Sequence, residues 1–93
     1  MRLLDHEVSA IKRSVNQFDP EAELYLFGSR VDDSKRGGDI DLLVISGKIT
    51  RADRRKIKLK IYDEIGEQRI DMIVTAKIST PFHRIALSEG IKL

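Results

Sequence analysis

Leu4, Val8, Ile11, Val15 and Phe18 recur at intervals of four, three, four and three residues. That is the spacing of one helical face, and it predicts an amphipathic helix over residues 3–17. Asp19-Pro20 ends it, because the residue before proline avoids helical angles. Glu23-Leu24-Tyr25-Leu26-Phe27 is apolar and aromatic enough to predict a short strand. Gly28-Ser29 and a polar stretch ending in Gly37-Gly38 follow, and Asp39 to Ile45 predicts a second strand, buried toward its end. Thr50 with Asp53 three residues on has the spacing of a capping box. Ile57, Ile61 and Ile65 then share a face. The run Lys56 to Ile61 also alternates like a strand, but the cap and the length favour a helix over 50–66, stopped by Gly66. Arg69 to Val74 predicts a third strand. Ser79 or Thr80 caps a last helix, with Pro81 in its first turn and Gly90 past its end. The sum is a single domain over 1–93 of the α/β (α+β) class, a small three-stranded mixed sheet with helices packed on it.

Ninety-three residues suffice for one domain with one modest core. The absence of cysteine excludes a disulfide scaffold, a thiolate zinc site and thiol catalysis. No apolar run approaches the roughly 20 residues of a membrane span, and the N-terminal MRLLDHEVSA lacks a signal peptide's apolar centre. These features point to a cytoplasmic protein that does not enter a membrane. With two histidines, any metal would be held mainly by oxygen, which favours Mg²⁺, Mn²⁺ or Ca²⁺.

Charge is unevenly placed. Residues 48–60 hold seven basic side chains (Lys48, Arg51, Arg54, Arg55, Lys56, Lys58 and Lys60) against Asp53 alone, a local +6 in a chain of net +2. Such a segment is a solvated helix face about as often as a binding face. Of the binding readings, an acidic protein surface is favoured over nucleic acid, since no aromatic residues interleave with the bases.

Three polar features interrupt the apolar pattern. Asp39 and Asp41 are two apart on a strand, so they share a face with Cα atoms roughly 6–7 Å apart. Two like charges that close repel unless a cation or a shared proton relieves them. On its own, Asp-x-Asp more often marks two solvated aspartates. Gly28-Ser29 closes a strand, where glycine lets the backbone approach an anion, although a lone Gly-Ser is usually an ordinary turn. Asp71 sits between Ile70 and Met72. A carboxylate there needs a metal, a base or the wet face of an edge strand. Tyr25 and Phe27 read as core residues, and no base-stacking platform stands out.

Together these residues resemble the DNA polymerase beta-like nucleotidyltransferase superfamily, and within it the minimal nucleotidyltransferase branch. The likeness rests on Leu26-Phe27-Gly28-Ser29-Arg30, on Asp39-Ile40-Asp41-Leu42-Leu43-Val44 and on Ile70-Asp71-Met72-Ile73. The closing stretch from Arg84 to Gly90 also looks like that branch's end. Nine residues separate Ser29 from Asp39 where ten are usual, and Arg36-Gly37-Gly38 replaces the branch's typical Pro-Asp-Ser.

The resemblance implies the nucleotidyltransferase fold and transfer of AMP from ATP with Mg²⁺, two ions in the usual arrangement, or Mn²⁺. It implies that Asp39, Asp41 and Asp71 hold the metals, with Asp71 also helping to deprotonate the acceptor. Gly28 and Ser29 would hold the β- and γ-phosphates, and Arg30 would neutralise phosphate charge. In this branch the partner is typically a HEPN-domain toxin, and the nucleotidyltransferase is its antitoxin, modifying a toxin tyrosine. A chain this short leaves the acceptor to another polypeptide, in a homo- or hetero-oligomer. Two other functions compete: an antitoxin that masks its toxin without catalysis, and a nucleotidyltransferase acting on an antibiotic or metabolite.

Overall fold

The computed structural model describes residues 3–31, 38–66 and 68–93. The polar connection over 32–37 lies outside the described residues. Helix α1 (Asp5–Asn16) begins where the Glu7 carboxylate accepts a hydrogen bond from the Leu4 N–H at 2.9 Å. Its buried stripe is Glu7, Ala10, Ile11, Ser14 and Val15; of the predicted face Ile11 and Val15 are buried, Val8 and Phe18 are half-buried, and Leu4, the cap residue before the helix, is exposed. Strand β1 (Glu23–Phe27) follows, then one 3₁₀ turn (Gly28–Val31), then strand β2 (Ile40–Ile45).

Helix α2 (Arg51–Ile65) starts at a reciprocal cap. Thr50 Oγ1 accepts from the Asp53 N–H at 3.1 Å, and Asp53 Oδ2 accepts from the Thr50 N–H at 3.0 Å. This cap settles the Lys56–Ile61 ambiguity in favour of helix. Gly66 ends α2 at φ +86°, a conformation that favours glycine. Strand β3 (Ile70–Thr75) and helix α3 (Pro81–Glu89) complete the expected elements, and Thr80 caps α3 through the His83 N–H at 3.1 Å.

The sheet has four strands rather than three, in the order β3-β2-β1-β4. The addition is β4 (Ile91–Lys92), antiparallel to β1 through Tyr25 and Leu26. Two residues are too few to show an alternating pattern, so pairing alone reveals this strand. β1 runs antiparallel to β2, and β2 runs parallel to β3. A parallel pair needs a long crossover, which α2 supplies.

Alternation along the strands divides the sheet into two faces. Leu24, Leu26, Leu42, Val44 and Met72 face α1 and α2, and with Ile11, Val15, Ile57 and Ile61 they form the main core. Phe27, Asp41 and Asp71 stand on the opposite face, where α3 packs over β1 and β2. At the far end of the sheet, Asp19 is buried and accepts a 2.5 Å hydrogen bond from Ser46 Oγ. Ser46 Oγ in turn accepts from the N–H groups of Lys48 and Ile49, which fixes the entry to α2. The Ser46 hydroxyl and the Glu21 N–H hold the Asp19 carboxyl below the usual carboxylate range.

Candidate active site

Three segments meet where β1 ends and β2 and β3 begin. Asp41 is the second residue of β2, and its register partners are Phe27, the last residue of β1, and Asp71, the second residue of β3. Parallel neighbours lie about 4.8 Å apart, so the two carboxylates face each other across one strand spacing. Asp41 is half-buried and Asp71 is exposed. Burial pushes the Asp41 carboxyl above its ordinary range, and the negative charges of Asp71 and Asp39, with a hydrogen bond that the protonated Asp41 donates to Asp71, push it further.

Gly28 closes the site from the β1 side at φ +77°. A Cβ there would stand 3.1 Å from Asp41 Cγ and collide with Oδ2. Glycine therefore serves twice, by adopting the left-handed turn and by admitting the carboxylate. Ser29 follows within the 3₁₀ turn.

Asp39 lies just before β2, on the same side as Asp41 by alternation. Its Oδ2 is 3.4 Å from Arg69 Nε. The backbone is latched at the same place, since the Ile40 N–H donates to the Arg69 carbonyl at 2.9 Å. Among the described residues no three acidic or histidine side chains converge as a ready metal cage. Asp41 and Asp71 are paired, and the third carboxylate is turned to Arg69. The donor set still fits a hard divalent cation in its chemistry. It offers carboxylate oxygens only, and the Asp71 and Asp39 repulsion that adds to burial in lifting the Asp41 carboxyl is the kind a cation relieves.

Arg30 is engaged by the scaffold. Its Nε donates to the Gly38 carbonyl at 3.3 Å, and its Nη2 donates to Gln68 Oε1 at 3.2 Å. Gln68 Nε2 donates to Glu7 Oε2 at 2.8 Å. Glu7 is 7% exposed. Burial raises its carboxyl, but the Leu4 N–H, the Gln68 amide and the charges of Arg30 and His6 outweigh that and hold it below its usual range. The chain Glu7–Gln68–Arg30–Gly38 thus ties the start of α1 to the residue preceding Asp39.

A model of the nucleotidyltransferase domain family matches residues 8–93, nearly the whole chain. The chain belongs to the nucleotidyltransferase domain family. A comparison with curated proteins found no match. Membership assigns this nucleotidyltransferase domain to the polymerase beta-like superfamily, whose chemistry is nucleotidyl transfer from a nucleoside triphosphate, generally with divalent metals. No helix among the described residues is long and apolar enough to cross a membrane.

The structure brings together Gly28, Asp41 and Asp71, and places Asp39 and Arg30 next to them in contacts of their own. Glu7, Gln68 and Arg69 had no signal in the sequence of this nucleotidyltransferase domain. Glu7 reads as one polar position on a helix, Gln68 as a polar residue before a strand, and Arg69 as the start of that strand. Tyr25 and Phe27 are not in the main core. They stand half-buried on the α3 side, because β1 turns Leu24 and Leu26 toward the helices. Phe27 meets Phe82 of α3 edge-on, ring centroids 5.9 Å apart.

Proposed function

We propose that this nucleotidyltransferase domain transfers AMP from ATP to a hydroxyl of a partner protein, a tyrosine of a HEPN-domain toxin, and so acts as the antitoxin of a toxin–antitoxin pair. The observation that carries the transfer chemistry is the register of Asp41 with Asp71 beside Gly28. The protein acceptor rests on the resemblance to the minimal nucleotidyltransferase branch, from the Gly-Ser turn to the closing Arg84–Gly90 stretch.

Bound divalent cations, Mg²⁺ in this reading, supply charge neutralisation at the attacking and leaving oxygens. Asp41 and Asp71, with Asp39 turned from Arg69, would hold them. The backbone N–H groups at Gly28 and Ser29 would hold the β- and γ-phosphates. Arg30, fixed beside this turn, would add positive charge on the phosphate side. Asp71, exposed at the strand mouth, would also receive the proton of the acceptor hydroxyl. The acceptor oxygen bonds to the α-phosphorus, the bond from that phosphorus to the bridging oxygen breaks, and pyrophosphate leaves.

The test is label transfer. The purified chain is incubated with Mg²⁺ and ATP labelled at the α-phosphate, together with extract of the cells it comes from, and Asp39→Asn is run alongside. A labelled protein band that disappears with the variant supports the reading. Absence of transfer from all four nucleotides, from a chain that still neutralises its partner, overturns it in favour of masking.

A further inference from the structure

The basic segment acquires a shape in α2. Arg51, Arg54, Arg55 and Lys58 fall at helical spacing with Leu59 and Tyr62, and these six line a groove of about 400 Å³. Arg54 Nη1 reaches the Met72 carbonyl of β3 at 3.4 Å, so the groove flanks the outer strand of the sheet. The opposite flank of α2 faces α1, where Glu64 pairs with Arg13. The helix's acids are held away from the groove. Asp53 is engaged at the cap, and Asp63 and Glu64 border a hollow shared with Ser14 of α1.

Among the described residues, Arg51, Arg55 and Lys58 meet no carboxylate. Like charges three and four residues apart destabilise a helix, so this stripe lowers the stability of α2. Leu59, 56% exposed, adds apolar surface between the charges. None of this serves the carboxylate site, because α2 packs on the Leu42 and Met72 face and Asp41 and Asp71 stand on the other.

We infer that this flank of α2 docks an acidic segment of a protein partner, one that carries an apolar anchor for Leu59 and Tyr62. Arg and Lys pair with carboxylates, Arg in a two-pronged geometry. A phosphodiester chain would satisfy the charges but leave the Leu59 surface uncovered. Tyr62 packs partly against the core, which limits its use as a stacking platform for bases. An amphipathic acidic segment satisfies charge and apolar floor together.

The experiment is fluorescence anisotropy on the full chain with two probes. One is a labelled helical peptide of glutamates with leucines along one face, and the other is a labelled oligouridine of matched charge. The peptide is expected to bind more tightly than the RNA, and more weakly as salt rises. Arg55→Glu with Lys58→Glu should weaken it about tenfold or more. Leu59→Asn should weaken it severalfold with the charges intact. Circular dichroism of each variant checks that α2 is formed. Tighter binding of the RNA, or a peptide affinity unmoved by charge reversal, overturns the inference. Nucleotide affinity at the carboxylate site, measured on the same variants, is expected to stay unchanged, so this result and that of the transfer assay are read separately.

Discussion

Gly28 lies against the carboxylate of Asp41 so closely that any side chain at position 28 would collide with Oδ2. Gly28 opens the turn after β1, and the two meet because Phe27, the last residue of β1, pairs with Asp41 on β2, which leaves the next residue level with the carboxylate. Gly28→Ala therefore carries two penalties. The φ of +77° costs an L-residue about 1–2 kcal/mol, and the collision displaces Asp41. Urea denaturation should show a loss of at least that size, and transfer should be lost even where the variant stays folded.

Asp41→Asn should separate stability from function. Burial, together with the Asp71 and Asp39 charges, raises the Asp41 carboxyl in the folded chain above its unfolded value. A raised carboxyl stabilises the fold below the ordinary aspartate range near about 3.9, and that contribution is lost as pH rises through the folded value. At neutral pH the ionised side chain thus lowers stability. Asparagine should raise the melting temperature there by on the order of a few degrees. The gain should disappear in acid, and Mg²⁺ should stabilise the parent chain more than the variant. Thermal melts from acid to neutral pH, with and without Mg²⁺, check both points.

Gln68→Ala cuts the link between Glu7 and Arg30. It takes the Gln68 amide from buried Glu7, leaving the Leu4 N–H as the hydrogen bond described for its carboxylate, and removes one of the bonds orienting Arg30. Orphaning a buried polar group costs roughly 1–3 kcal/mol, which denaturant titration resolves. Because Arg30 also holds the Gly38 carbonyl next to Asp39, metal affinity should fall along with stability. Gln68→Glu should not rescue it, since the new carboxylate would face Glu7.

Much of this was legible in the sequence where the physics is local. The stripe of Val8, Ile11 and Val15 and the Thr50–Asp53 cap depend on neighbours within four residues, and the helices appear where that spacing puts them. Asp39, Asp41 and Asp71 stood out because acids in apolar strands need a reason. Other features depend on pairing between distant segments, and no periodicity records that. β4 is two residues long and exists because Tyr25 and Leu26 offer an edge. Glu7 and Gln68 are 61 positions apart, and only the fold makes them partners. The Asp39–Arg69 pair likewise exists because β3 lies beside β2. The basic segment was visible as charge, but the gathering of Arg51, Arg54, Arg55 and Lys58 along one groove required the direction in which Ile57 and Ile61 bury that helix.

Asp41 and Asp71 are proposed here as one cation-binding pair. Electron paramagnetic resonance of Mn²⁺ titrated into the chain tests it without requiring turnover, since bound Mn²⁺ loses the six-line signal of the free ion. Binding by the parent chain is expected, tighter with ATP present, with loss of that binding in both Asp41→Asn and Asp71→Asn while circular dichroism shows both folded. Equal Mn²⁺ affinity in the parent chain and the two variants would contradict it, as would no binding by the parent chain even with ATP.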